Sequence, residues 1–358
     1  MAEMQNTQNA ATLGLGFHKF DGNVAVKDVM HQIGADFTVR EDRIVRVTDD
    51  MLAKIRNGEP VVIPAGHIID SHKATVCDEA DKTIGIVGEG YGTIQNNSCF
   101  EILDLMCSAS VTDTPLKIVS AGMVHDFEPY LQAELPDSGL RINGDPSETK
   151  FYAFVHTAHD GSSGLQVRFS PVRVVCQNTF MANVSSRCGF TFKHTRHVHQ
   201  RIDLTEEANI QRIRERVAQL NLFTKEYVDN MNFLATQPVT QQDINEFALN
   251  MFIDEEKVKE AVRAANYRFR DTEGVSTRAA NTVESFLDTL HSSRGGQDFA
   301  SGSKLWLFNA TTNFTSNVAS YGNARKDSEY TIAEKRFDSM MNGIAGKRVE
   351  RALELLSA

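Results

Sequence analysis

The chain has 358 residues, 41% of them apolar and 23% charged, with a formal net charge of −10. That length and composition allow a sizeable core and exclude a disordered or fibrous chain. No apolar run reaches the roughly 18 residues of a membrane span and the polar start carries no secretory signal, so a soluble, cytoplasmic protein is expected. Five cysteines, an odd number with no Cys-x-x-Cys pair, fit reduced thiols in a cytosol.

In chain order, residues 1–12 read as a disordered tail, 13–202 as a β-rich core domain and 203–358 as a helical region. The fold class expected is α+β, an antiparallel sheet with packed helices followed by a mostly helical half. Val26 to Ile33 reads as a short helix stopped by Gly34, and Phe37 to Val47 as a hairpin. Thr48-Asp49-Asp50 caps a second short helix. Short β-branched runs follow at 61–63, 67–70, 74–77 and 83–87, then an amphipathic helix from Cys99 to Ser108. Strands are predicted at 116–124, 130–134, 152–156 and 165–169, with Asp160-Gly161 turning the last hairpin. Val172 to Val184 has near-helical apolar spacing, and Pro171 fits its first turn.

After Asp203 the pattern is helical. Asp203-Leu204-Thr205-Glu206 resembles a capping box, and a seam runs from Ile210 to Leu234 in steps of three and four. That seam suits either packing on its own domain or a subunit-joining helix. Gln237-Pro238 stops the helix and Thr240-x-x-Asp243 caps the next. Further helices are predicted at 255–267, 279–289, 306–315, 332–341 and 348–356, with a loop over 292–303.

Charge is unevenly placed. From Gly161 to Ile202 there is no aspartate or glutamate, where the chain's mean density predicts about five. The stretch holds Arg168, Arg173, Arg187, Lys193, Arg196 and Arg201, leaving 31 bases against 47 acids elsewhere. A basic segment in an acidic chain points to a phosphate partner; a buried strand, where charge is scarce, explains part of it equally well. Tyr91 and Phe192 are candidate stacking surfaces for bases. Gln177, Asn178 and Thr179 inside an apolar pattern suit a buried polar network better than base contacts.

Rival chemistries have weaker support. His194, His197 and His199 are spaced for a metal, but no second ligand pair accompanies them. His156, His159 and Asp160 suggest a base and its orienter beside Ser162, yet the strained Gly-x-Ser-x-Gly elbow is missing. Gly85 to Gly90 lacks the Lys-Ser/Thr of a phosphate loop. No cofactor and no catalytic residue are expected.

His159-Asp160-Gly161-Ser162 followed by Pro171-Val172-Arg173-Val174-Val175-Cys176-Gln177-Asn178-Thr179 resembles the signature of the phage/plasmid-like family, domain of unknown function 932. Ile84-Gly85-Ile86-Val87 with Tyr91 and Gln95-Asn96, Leu305-Trp306 with Phe308-Asn309-Ala310, and Phe337-Asp338-Ser339 with Gly343 and Lys347 agree in order. The architecture also resembles phage single-strand annealing proteins of the RecT and Red-beta kind. These resemblances imply a single-stranded-DNA-binding, oligomeric annealing protein, with host or phage replication proteins as further partners. The alternatives are an accessory protein that binds a host protein, or a metal-dependent hydrolase or nuclease.

Overall fold

The structure is a computed structural model that describes residues 18–20, 24–109, 117–135, 139–173, 189–196, 207–292, 297–320, 334–335, 339 and 344–357. Two antiparallel sheets occupy the first half, and the second half is helical, an α+β fold. Among the described residues no helix is long and apolar enough to cross a membrane.

The chain enters as β1 (His18–Lys19) and α1 (Val26–Ile33). Gly34 ends α1 with φ 71°, a left-handed conformation that glycine adopts without Cβ strain. β2 (Val39–Val45) comes next, then α2 (Asp49–Arg56), whose cap Thr48 accepts from Met51 N–H. β3 (Ile68–Cys77) and β4 (Lys82–Gly88) complete a sheet of order β2-β3-β4.

Two expectations change here. Phe37 to Val47 is not a hairpin but contains one strand, because across Arg40–Arg43 exposed positions alternate with partly buried ones and the segment pairs along β3. The runs at 67–70 and 74–77 merge into β3, and 61–63 forms no strand, with Val62 88% exposed.

α3 (Asn96–Ala109) leads to the larger sheet, made with β5 (Lys117–Val124), β6 (Glu128–Glu134), β7 (Thr149–His156), β8 (Leu165–Arg173) and β9 (Phe190–Phe192). Its order is β1-β5-β6-β7-β8-β9. Pro171 lies in β8 opposite Phe151, and strand structure continues through Arg173, so the predicted helix does not begin at Val172. Among the described residues β9 pairs with Leu165 to Val167 alone, which leaves no described strand beside Pro171 on that side, where a missing N–H is tolerated. The remainder of that predicted helix, residues 174–184, lies outside the described residues. So do the tail at 1–12 and the capping box at 203–206.

The helical half runs α4 (Glu207–Thr236), α5 (Gln241–Phe252), α6 (Glu256–Ala264), α7 (Thr277–His291), α8 (Lys304–Asn313) and α9 (Ile344–Ser357). α8 continues as a π-turn over Phe314–Val318. Thr240 and Asp243 form the expected capping box of α5. One face of the larger sheet (Leu131, Phe151, Val155, Leu165, Val167, Phe169) joins a hydrophobic core that includes Phe100 of α3 and Met231 and Leu234 of α4. Tyr227 meets Phe151 edge-on at 5.9 Å, so the C-terminal part of the α4 seam is used within this chain.

Candidate nucleic-acid interface

The two sheets meet where β4 and its following loop touch the turn between β7 and β8. Gly85 lies against the backbone of Asp160 so closely that a Cβ would collide with its Cα. Gly92 stands equally close to the Thr195 carbonyl. These glycines therefore serve backbone approach rather than phosphate cradling.

Hydrogen bonds fasten the junction. Thr75 Oγ1 donates to the His159 carbonyl at 2.7 Å, and Arg196 N–H donates to Gly90 at 2.9 Å. The Gln95 amide exchanges two bonds with the backbone of Val39, at 3.0 and 2.8 Å, standing in for a neighbouring strand. Asn96 Nδ2 donates to the Ala35 carbonyl at 2.9 Å. Its Oδ1 lies 2.7 Å from His159 Nε2 and can only accept, so that nitrogen carries the proton. Nδ1 of His159 is buried without a hydrogen-bond partner among the described residues.

His194 completes the cluster. Its ring lies 5.6 Å from that of His159 and is stacked on Tyr91 at 4.9 Å. Thr157 Oγ1 is 3.2 Å from Nε2. Burial depresses His159 to about 3 and His194 to about 4, so both imidazoles are neutral at pH 7. His156 is also buried, with Nε2 3.2 Å from Glu128 Oε2.

Among the described residues His159 and Asp160 do not bond one another as base and orienter. His159 is fully buried and held by Asn96, while Asp160 Oδ1 accepts from its own turn at Ser162 N–H, 2.8 Å away. His194 is itself buried, at 8% exposed. Among the described residues no group of three or more His, Cys, Asp or Glu is placed to hold a metal. His197 and His199 lie outside them, as do Arg187, Arg201, Gln177, Asn178 and Thr179.

The larger sheet's second face carries Arg168 and Lys150. Register places Gln132, Phe154 and Arg168 in one row and Tyr130, His156 and Gln166 in the next. Arg168 is half-buried, and burial lowers its pKa. Among the described residues it has neither an ion pair nor a hydrogen bond from its guanidinium. Lysines elsewhere in the two sheets differ: Lys150 of β7 bonds Glu134 at 2.7 Å, and Lys73 of β3 bonds Glu41 at 2.6 Å. Arg196, expected to meet phosphate, already pairs with Glu89 at 2.8 Å on an open surface.

Lys193 is exposed just beyond β9, with no side-chain partner among the described residues. Arg173 is the last residue of β8. One face of Tyr91 is taken by His194, and Phe192 packs partly on the core, so each has less than a full ring to offer a base. Asn96, Glu41 and Glu89 are contacts that the sequence pattern does not single out. The Gln95-Asn96 pair at a helix start was the available signal for the first, since polar side chains there commonly bond backbone.

The residues that gather at this junction (Gly85, Tyr91, Gln95, Asn96 and the His159–Ser162 turn) come from separate stretches of sequence. No curated protein and no solved structure matches the chain. A family model does match, over residues 83–341, which takes in the junction and most of the helical half: the chain belongs to the family described as domain of unknown function (DUF932).

Proposed function

We propose that the protein binds single-stranded DNA as an oligomer and anneals strands during phage or plasmid recombination or replication in the bacterial cytoplasm. The observation that carries this reading is Arg168, a half-buried guanidinium without a carboxylate partner among the described residues, in a chain of net charge −10. Leaving such a charge uncompensated is costly, and a planar fork of donors suits a phosphate oxygen pair. Lys193 and, once its exposed pair with Glu89 opens, Arg196 extend the cationic track; Arg173, Arg187 and Arg201 belong to the same basic stretch of sequence. Tyr91 and Phe192 contribute to its shape rather than to base stacking. Binding of a labelled oligonucleotide, followed by anisotropy, tests the reading together with mass in solution. Micromolar or tighter affinity and a rise in mass by more than one protein copy are expected; no binding at low salt removes the proposal.

A second reading, an accessory protein that binds a host protein, is favoured by exposed apolar side chains around α2. Val62, Ile55, Ile63, Val47 and Leu52 are 88%, 51%, 45%, 42% and 39% exposed. A heterologous partner retained after nuclease treatment, and lost in Ile55→Ser, would favour it.

A further inference from the structure

Away from the sheets, α7, the π-turn after α8 and α9 enclose a cleft of about 410 Å³. Its lining includes Arg278, Asn281 and Ser285, which follow one face of α7, and Arg348 from α9. Phe314 and Val318 form an apolar wall from the π-turn, a geometry frequent at functional sites. No acid is among the lining residues. Glu284, the first acid of α7, is paired with Arg270. Arg270 also donates to Asn281 Oδ1 at 2.9 Å, leaving the Asn281 amide N–H groups as donors.

Arg278 sits in the first turn of α7, where no acidic residue balances the positive end of the helix. A cation there is disfavoured unless an anion joins it. Neither its guanidinium nor the Ser285 hydroxyl has a partner among the described residues. Two arginines from two helices with amide and hydroxyl donors match a dianion better than a single carboxylate. The apolar wall leaves room for the body of a small organic molecule, and the volume lies within the range of ligand sites.

We infer that this cleft is a binding site for a phosphate monoester, engaged by Arg278 and Arg348, with the ester's organic part against Phe314 and Val318. A free mononucleotide and the phosphorylated end of a DNA strand both carry that group. The site does not depend on strand binding through Arg168, and either can fail without the other.

Calorimetry on the full chain at constant ionic strength uses adenosine monophosphate, adenosine, and one oligonucleotide with and without a terminal phosphate. The monophosphate should bind at least about tenfold tighter than adenosine, the equivalent of one charge-assisted hydrogen bond. Arg278→Gln, at an exposed position, should abolish that preference while the thermal midpoint is retained; Arg348→Gln should reduce it. A terminal-phosphate effect that Arg278→Gln removes identifies a strand end as the source, and an effect with the free monophosphate alone identifies a small metabolite. Equal binding of monophosphate and adenosine with no terminal-phosphate effect, or an unchanged preference in Arg278→Gln, overturns the inference.

Discussion

His159 and His194 are neutral because burial removes the water that would solvate their charge, and this links stability to pH. Both folded-state values lie below the ordinary 6.5, so the unfolded chain binds the extra protons. Their contribution is complete above pH 6.5 and is lost as pH falls through the folded values of about 3 and 4. Each should cost about 2 kcal/mol between pH 6.5 and 5. Urea unfolding at the two pH values measures it, and a difference near zero would show that the rings titrate normally. Gly85→Ala is the steric counterpart: its Cβ meets rigid Asp160 backbone, so a loss of about 1–3 kcal/mol in the same assay is expected. The sequence marks His159 and Gly85 as parts of the family's signature words, yet not their surroundings. Whether a histidine beside Asp-Gly-Ser is buried depends on Asn96, 63 positions away, which no local pattern encodes.

Elements whose signals are local were legible. Val26 to Ile33 with Gly34, the Thr48 cap and the Thr240–Asp243 box occur where capping chemistry demands. Thr240→Ala should cost about 1 kcal/mol by thermal or urea unfolding, because it removes an acceptor from an unpaired helix-end N–H. Elements that depend on distant partners were not legible. β2 became one strand because β3 supplies a ladder along its full length. Val172 and Arg173 joined β8 because β7 extends back to Thr149 and Lys150 to meet them. Helical apolar spacing at 172–176 also satisfies a strand with one covered face, and only the partner decides.

At the scale of the whole molecule, the division of charge is the property on which the account rests. The acid-free stretch contributes β8, mostly buried from Leu165 to Pro171, which explains part of its composition. It also places Arg168 and Lys193 where no carboxylate among the described residues meets them, while Arg196 folds back on Glu89. Family membership was legible because its signature words survive in order along the chain, and the junction they build is fastened by hydrogen bonds such as Thr75 to the His159 carbonyl and Asn96 to His159. The most direct test is the salt dependence of oligonucleotide binding by the unaltered chain, Arg168→Gln and Arg196→Gln, with folding checked by thermal unfolding. The slope of log K against log salt should fall by about 0.7 for Arg168→Gln, the value of one single-strand phosphate contact, and by less for Arg196→Gln. An Arg168→Gln protein that is folded and binds with the slope of the unaltered chain would contradict the account.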